Sequence, residues 1–473
     1  MNTSRMTLAR FFGARQTDDP SKNSSTRLPV WYNPLMRNRR RLLLALLLAW
    51  MLPALACNLP SRARMAATST PGTPGSITLA TEPAAATATP NVQLQAPLAT
   101  ALVQAHPLFP DSEIVNSPAA LGFDVAEFVA SAGGYLGGYS ETVDSETLGG
   151  AQIIKRIADE TSTNPRLLLG LLEYRSGWVF GQPKPGAELV YPLGFENPAF
   201  QGLNRELRLA VRYLSQGYYA ARAGQLGQIV FPDGVTIDLP ADANPAMAAL
   251  YSLFARLLPF VDWQAAILGP DGFITFYSAQ FGDPWQRAVE PLLPADLAQP
   301  QLELPFAAGA KWSLTGGPHI DWGVGSPLGA IDLAPISGTG CKPAPQQAVA
   351  AAAGVVVRSA RGALALDLDG DGNEQTGWVL IYMHLANRVA VGTRVEADEP
   401  LGNPSCEGGV ATGAHVHLAR KYNGEWLGLD IIPYVLSGWQ VEAGEKPYLG
   451  RLVRGDQVVT ASSNGMSGST VFR

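Results

Sequence analysis

Two histidines stand one residue apart near the end of this 473-residue chain, in the stretch AHVHL. Because alternate side chains of a β-strand point to the same face, His415 and His417 would deliver two imidazoles to one spot, while Val416 and Leu418 point away. The whole chain has only five histidines. Imidazoles bind metals and transfer protons near neutral pH. The spacing therefore predicts a metal or proton-transfer site on this strand.

Two further histidines and an aspartate stand in contexts that strengthen this prediction. His384 lies in the apolar run VLIYMHL, where strand alternation predicts the same face as Tyr382 and Leu380. His319 precedes Asp332, a carboxylate between apolar neighbours that is costly to bury without a cation or a donor. Two imidazoles and one carboxylate, with the fourth position left for water, form a common catalytic zinc site.

Together these residues resemble the LytM and lysostaphin-type zinc endopeptidases, which cut the peptide part of bacterial peptidoglycan. The resemblance spans roughly 316–432 and includes the motifs YMHL, G..V...EPLG and TGAHVHL. It implies an antiparallel β-sheet domain in which His319, Asp332 and His417 bind Zn²⁺, while His384 and His415 face the water and the scissile carbonyl. Which of these last two histidines is the base stays open.

The carboxylate ligand has one alternative. His319 and Asp332 are separated by twelve residues, whereas three are usual in the family. The glycines and the proline of DWGVGSPLG would allow a loop to bulge out and return. Asp321 is nearer in sequence, but a ligand two residues from His319 would crowd the metal. The sequence therefore favours Asp332.

Two other functions remain open. Relatives of this fold can keep the shape and lose the metal, so one rival is a non-catalytic peptidoglycan-binding or hydrolase-regulating protein of the envelope. Such relatives usually lack a ligand or a catalytic histidine, and this chain has all of them. The other rival is a zinc protease that acts on ordinary proteins.

A second metal site is suggested by the stretch DLDGDGNEQTGW. Asp367, Asp369 and Asp371 have the alternate spacing of calcium loops, with Gly372 at the turn position. Trp378 stands where such loops carry a bidentate glutamate. A calcium site and a polar hairpin tip therefore both remain open.

The beginning of the chain contains a pattern typical of exported proteins. A basic cluster leads into a short apolar run in RNRRRLLLALLLAWMLPALAC, which is too short for a bilayer span of about 20 residues. We interpret 36–57 as a secretory signal and ALAC as a bacterial lipobox, which predicts lipidation of Cys57. An uncleaved anchor and plain signal cleavage are the alternatives. Residues 1–35 are predicted to be a disordered extension, and the protein is predicted to be held at the outer face of the cytoplasmic membrane.

Cysteine content and charge fit an exported protein. After Cys57 only Cys341 and Cys406 remain, and an even pair in an oxidising compartment predicts a disulfide. Residues 1–57 hold 9 of the 34 Lys+Arg and 2 of the 40 Asp+Glu, which leaves 25 minus 38, a net charge of −13, for the rest. So acidic a chain is not expected to bind nucleic acid.

The remaining sequence is predicted to be a multidomain α+β chain. Asn-Pro pairs at Asn164 and Asn244 are typical of helix starts, Gly177 of a helix end, and GQIVFPDGVTIDLP of a hairpin. Later runs are short, apolar and broken by Gly, Pro and Asp, as in antiparallel sheets. The predicted parts are an Ala/Thr/Pro-rich linker at 58–110, a mainly helical domain at 111–300, the peptidase domain at 301–441 and a tail with short strands at 442–473.

The helical part contains a second resemblance. NPRLLLGLLEYRSGW is similar to the start of the lysozyme-like lytic transglycosylase domain, where a helix ends in a catalytic glutamate followed by serine. Here Arg175 precedes Ser176, and Glu173 stands two places before Arg175. Arginine cannot donate the proton that glycoside cleavage requires. The resemblance therefore implies a degenerate lysozyme-like domain that binds peptidoglycan or packs on the catalytic domain, with an active glycosidase as the alternative.

Overall fold

The computed structural model describes residues 109–473 except Ser337 and Thr339. The predictions for 1–35, for 36–57 with lipidation at Cys57, and for nearly all of 58–110 lie outside the described residues. The described residues all belong to one compact unit. The predicted boundaries between the later domains stay predictions.

The first part of the described chain is mainly helical. Its helices are α1 (Val125–Ala132), α2 (Tyr135–Gly138), α3 (Gly150–Thr161), α4 (Pro165–Ser176), α5 (Ala187–Val190), α6 (Leu203–Arg222), α7 (Pro245–Leu257), α8 (Phe260–Leu268) and α9 (Phe273–Phe281). Two small hairpins join them, β1 (Ser140–Val143) with β2 (Glu146–Gly149), and β3 (Gln228–Val230) with β4 (Thr236–Asp238). The second of these is the predicted hairpin.

The predicted helix ends are confirmed. The Asn164 side chain accepts a hydrogen bond from Arg166 N ahead of Pro165, and Gly177 ends α4 in the left-handed conformation. The Asn244 side chain caps α7 in the same way. These signals are local hydrogen bonds and backbone preferences, so they can be recognised in sequence without knowledge of the fold.

The second part of the described chain is built from antiparallel strands. They are β5 (Lys311–Ile320), β6 (Leu328–Pro335), β7 (Ala348–Val349), β8 (Gly354–Ala360), β9 (Ala363–Asp367), β10 (Trp378–Met383), β11 (Leu385–Ala386), β12 (Arg394–Val395), β13 (Pro400–Pro404), β14 (Val416–Tyr422), β15 (Glu425–Trp426), β16 (Val435–Leu436), β17 (Trp439–Ala443), β18 (Gly450–Arg454), β19 (Gln457–Thr460) and β20 (Thr470–Phe472). The largest sheet has nine strands in the order β12-β8-β9-β10-β14-β6-β5-β20, with β15 beside β14. This confirms the predicted antiparallel β-sheet architecture after a helical part.

The two faces of the large sheet contact different neighbours. Val416 and Leu418 of β14 lie in the core that the sheet shares with the smaller sheets. On the opposite face, Ala419 belongs to an apolar cluster, half of whose buried members are alanine, that packs against Tyr219 of α6. Helical residues therefore cover part of the face toward which His415 and His417 are expected to point.

Buried charges join the helical part to the sheet. Arg222 of α6 lies between Glu425 of β15, with a 2.7 Å contact from Nε, and Asp111, with a 3.2 Å contact from Nη2. Tyr218 also donates to Glu425, at 3.1 Å. A second contact joins Arg361 to Glu160 of α3 at 2.8 Å. Within the described part of the chain, no helix is both long and apolar enough to cross a bilayer.

Candidate metal centre

Three neighbouring strands bring the predicted ligands together. Asp332 on β6 pairs directly with His417 on β14, and His319 lies on β5 opposite Ala330. One potential ligand atom from each of His319, Asp332 and His417 lies within 4.8 Å of the others. All three side chains are buried. Strand pairing, not closeness in sequence, therefore makes this cluster.

The carboxylate of Asp332 is at the centre of the cluster. Its Oδ1 lies 3.3 Å from His319 Nε2, 3.4 Å from His417 Nδ1 and 3.5 Å from His415 Nε2. Burial raises the pKa of Asp332, but the imidazoles of His319 and His417 outweigh it and hold that pKa below its ordinary value. Oδ1 is nevertheless buried without a well-formed hydrogen bond. A buried anionic oxygen that faces several ring nitrogens at these distances fits a shared cation.

Backbone carbonyls orient the rings of the two histidines that are predicted to bind the metal. His319 Nδ1 lies 2.8 Å from Gly317 O, and His417 Nε2 lies 2.7 Å from Asp321 O. A carbonyl only accepts, so each of these nitrogens carries the proton and leaves the other nitrogen unprotonated. That other nitrogen faces Asp332 in both rings. This is the arrangement in which histidines usually bind metals.

Asp321 contributes its carbonyl rather than its carboxylate. Its carboxylate is fully buried, both oxygens lack hydrogen-bond partners, and burial raises its pKa well above the ordinary value. Among the described residues, the carboxylate belongs to no cluster of potential metal ligands. The contact between its carbonyl and His417 gives this residue a supporting position beside the site.

His384 and His415 lie beside this cluster. Their ring centroids are 4.5 Å apart. His384 Nδ1 donates to Glu407 O at 3.1 Å and His415 Nδ1 to Gly413 O at 2.8 Å, so Nε2 is unprotonated in each neutral ring. Burial, followed by the neighbouring His415 and His417, lowers the pKa of His384 to about 4. His384 is therefore neutral at pH 7 and able to accept a proton.

The prediction that His384 lies on the same strand face as Tyr382 and Leu380 is wrong. β10 ends at Met383, and His384 follows it in the left-handed conformation with φ of 62°. Tyr382 and Leu380 point into the core on the other side of the sheet, whereas the His384 ring lies next to His415. The left-handed residue interrupts the strand alternation on which the prediction relied.

Tyr448 is a site neighbour that the sequence did not reveal. Its ring stacks on that of His319 with centroids 4.1 Å apart. The backbone of Tyr448 makes two hydrogen bonds with the residues just before His319. Its N–H donates to Pro318 O at 3.1 Å, and its carbonyl accepts from Gly317 N at 2.9 Å. No local pattern marks Tyr448, which lies in the segment predicted to be a tail.

The predicted disulfide between Cys341 and Cys406 is present, with a Cα–Cα distance of 5.0 Å. The bond joins the segment after β6 to the segment after β13. Both segments lie next to the site, because Gly340 O accepts from Ala414 N, one residue before His415.

The three aspartates of the candidate calcium loop also lie together. Oxygens of Asp367, Asp369 and Asp371 are within 4.8 Å of one another. Asp367 accepts hydrogen bonds from the backbone N–H groups of Asp369, Gly370 and Gly372, as in a closed hairpin tip. Burial and the neighbouring Asp367 carboxylate raise the pKa of Asp369 to about 7. The geometry is thus compatible with a proton shared between carboxylates as well as with a cation.

Glu173, the glutamate of the lysozyme-like pattern, has a structural contact. Its carboxylate accepts from Val179 N at 2.7 Å and from Phe180 N at 3.0 Å, just beyond the end of α4. Arg175 donates to Leu193 O at 3.0 Å. The lysozyme-like character of this part stays a prediction.

Comparisons with known proteins identify a class of peptidase. A family model described as LasA, N-terminal domain, matches residues 107–296. The beta-lytic metalloendopeptidase of Lysobacter enzymogenes is 30% identical over 156 residues, which cover 31% of this chain and 82% of that protein. Protease LasA of Pseudomonas aeruginosa is 30% identical over 290 residues, which cover 57% of this chain and 65% of that protein. The part of the chain with the histidine cluster is thus a LytM-type metallopeptidase domain.

The chain belongs to the family of the beta-lytic metalloendopeptidases. It spans about 65% of the length of protease LasA. Among solved structures, the M23 metalloprotease pseudoalterin is 23% identical with a TM-score of 0.29, and the match covers 35% of this chain and 96% of that one. The catalytic domain of lysostaphin from Staphylococcus simulans is 24% identical with a TM-score of 0.19, covering 25% and 87%.

Proposed function

We propose that this protein is a zinc-dependent endopeptidase that hydrolyses peptide bonds of cell-wall peptidoglycan. The observation that carries the proposal is the buried Asp332 Oδ1, which faces ring nitrogens of His319, His417 and His415 at 3.3–3.5 Å. His384 adds a fourth imidazole beside them. The family membership supports a metallopeptidase, and the motif resemblance supports peptidoglycan as the substrate.

His319, Asp332 and His417 would hold the metal through Nε2, a carboxylate oxygen and Nδ1. Bound zinc lowers the pKa of a coordinated water from about 15.7 toward about 7 and polarises a carbonyl oxygen. The carbonyls of Gly317 and Asp321 keep the two ligand rings in the metal-binding tautomer. The protein thus supplies a preorganised set of two nitrogens and one oxygen.

His384 and His415 would handle the proton and the developing charge. Each ring has its Nδ1 proton engaged by a carbonyl and a free Nε2. One Nε2 would accept the proton that the attacking water loses, and the other ring, which takes up a proton from solvent at its Nε2, would donate a hydrogen bond to the oxyanion.

The proposed location follows from the start of the sequence. A signal at 36–57, lipidation of Cys57 and the linker at 58–110 would hold the enzyme at the outer face of the cytoplasmic membrane. The linker would let the folded part reach the peptidoglycan layer. Mass spectrometry of the mature N-terminus tests this, because an unmodified residue other than Cys57 contradicts lipidation.

The experiment that tests the function is digestion of purified peptidoglycan by the zinc-loaded protein, with and without a chelator. New peptide termini should appear only without the chelator and should return when zinc is restored. Binding without new termini would instead identify the non-catalytic envelope protein. Equal cleavage of an unstructured protein such as casein would identify a general protease.

The proton-handling role of the histidines has its own test. His384→Ala and His415→Ala should each lower kcat by about 10²-fold or more, because general acid–base catalysis contributes about 10²–10⁴-fold. Zinc content should stay at one ion per chain, since neither residue is a proposed ligand. Retained turnover in either variant would contradict the role of that histidine.

Calcium at Asp367, Asp369 and Asp371 remains a prediction, supported by their clustered oxygens. If the ion binds, added calcium should raise the melting temperature, whereas magnesium at equal ionic strength should not. Asp371→Asn should abolish the difference. A melting temperature that does not respond to calcium would mean that the loop is only a hairpin tip.

A further inference from the structure

A short segment after β13 contacts both of the proton-handling histidines. Ser405 is 1% exposed. Its backbone N–H donates to His384 O at 2.6 Å, and its carbonyl accepts from His415 N at 3.4 Å. His384 directly follows β10 and His415 directly precedes β14, so Ser405 is a common support for the backbones at the ends of two strands.

The hydroxyl of Ser405 extends this support to the ring of His384. Ser405 Oγ donates to His384 O at 2.9 Å and accepts from Glu407 N at 3.0 Å. Glu407 O in turn accepts from His384 Nδ1 at 3.1 Å. The hydroxyl thus joins the backbone of His384 to the backbone group that fixes its ring.

Surrounding groups hold this arrangement in place. His384 has φ of 62°, and a non-glycine residue keeps such a conformation only where several contacts determine it. Gly362 lies against Glu407, since a Cβ at Gly362 would be 2.2 Å from Glu407 O. The backbones of Gly362 and Glu407 are therefore in close contact.

The disulfide closes a ring of contacts around the two histidines. Cys406 lies between Ser405 and Glu407 and is bonded to Cys341. The neighbour of Cys341, Gly340, accepts from Ala414 N at 2.7 Å, next to His415. The covalent bond thus joins the support of His384 to the support of His415.

We propose that Ser405, held by the Cys341–Cys406 disulfide, is a positioning residue that keeps His384 and His415 in the relative positions that proton transfer requires. It fixes the His384 ring with Nδ1–H on Glu407 O, which leaves Nε2 free to accept a proton. This inference rests on the proposed peptidase function. Ser405 does not touch substrate; it acts through the histidines.

The first test is Ser405→Ala in the zinc-loaded full-length protein. We expect kcat to fall about 10- to 100-fold, as for other groups that orient catalytic side chains, with KM and zinc content unchanged. The tautomer of His384 is read directly by NMR of protein labelled with ¹⁵N-histidine, assigned with His384→Gln. The chain has only five histidines, so the spectrum is simple. In the variant, His384 should change from a pure Nδ1–H form to a mixture of tautomers.

Ser117→Ala is a matched control in the helical part. Ser117 is fully buried, and its hydroxyl likewise donates to a carbonyl, Ser112 O at 2.6 Å, and accepts from a backbone N–H, Ala119 N at 3.2 Å. Its removal costs similar stability but should leave kcat and the His384 signal unchanged.

The second test removes the disulfide with the double substitution Cys341→Ala and Cys406→Ala, assayed well below its melting temperature. We expect the same loss of kcat and the same tautomer change at full zinc content. Wild-type kcat and an unchanged His384 signal in both folded variants would overturn the proposal and leave the bond a purely stabilising one. If the wild type bound zinc but cleaved nothing, the proposed function would fail, whereas the NMR comparison would still decide whether Ser405 fixes the His384 ring.

Discussion

At the scale of single residues, the choice between two aspartates decides the metal site. We expect Asp332→Asn to lose zinc, because a neutral amide replaces the one anionic ligand. Asp321→Asn should retain zinc, since the backbone carbonyl that bonds to His417 remains. Metal content after exhaustive dialysis, measured by elemental analysis, compares the two. Loss of zinc from the Asp321 variant with retention in the Asp332 variant would reverse the assignment.

The residues that could be predicted from sequence are those whose chemistry is visible in their own neighbourhood. His415 and His417 follow strand alternation, and Val416 lies in the opposite core as expected. The sequence identified His384 as a site residue but predicted the wrong strand face for it. Its backbone is left-handed and is hydrogen-bonded to Ser405, which is distant in sequence, so strand alternation could not predict its direction. Tyr448 was missed for the same reason: only the folded chain brings it to His319.

At the scale of the elements, strand register explains how twelve intervening residues still leave His319 and Asp332 together. The ladder between β5 and β6 shifts register around Gly316 and again next to His319. Such bulges aim side chains differently from a regular strand, and they are common beside active sites. The alternation of apolar and polar residues could therefore predict that β5 and β6 are strands. It could not predict the shifted pairing of these strands that brings His319 and Asp332 together.

Gly316 gives a prediction at this scale. A Cβ at this position would lie 2.5 Å from Asp332 Oδ2, so Gly316→Ala should displace the carboxylate from the ligand cluster. We expect zinc affinity to fall about 10- to 100-fold, with little loss of secondary structure. Competition with a chromogenic chelator measures the affinity.

Gly323→Ala is the matched control, because a Cβ there would meet nothing within 4 Å. It should bind zinc like the wild type. Equal zinc affinities of Gly316→Ala and Gly323→Ala would contradict the prediction. They would mean that the absence of a side chain at Gly316 does not matter for metal binding by Asp332.

At the scale of the whole molecule, the helical part and the histidine–aspartate cluster share one face of the large sheet. Tyr219 packs on the apolar cluster of that face, and Arg222 joins Glu425 to Asp111 within the contact. The sequence predicted a helical part and a sheet because their periodicities are local. It could not predict their contact, because the partners of each buried charge lie far away in the chain.

This contact makes stability depend on pH. Burial is the main cause that raises the pKa of Glu425 to about 7 and that of Asp111 to about 6, even though Arg222 opposes both shifts. Both values exceed those of the unfolded chain, so the folded protein binds more protons between about pH 4 and pH 7. These carboxyls therefore make the free energy of unfolding decrease as pH rises through that window.

Glu425→Gln should remove the larger part of this dependence. The amide keeps the shape of the side chain and can still accept from Arg222, but it carries no charge that must be buried. Relative to the wild type, the variant should gain stability as pH rises from 4 to 8, by at most about 3 kcal/mol for a pKa that moves from 4.5 to about 7. Urea unfolding at several pH values measures the difference, with Glu445→Gln on an exposed turn as the control. A difference between Glu425→Gln and wild type that stays constant with pH would show that the pKa of Glu425 is the same in the folded and the unfolded protein, and that Arg222 compensates its burial completely.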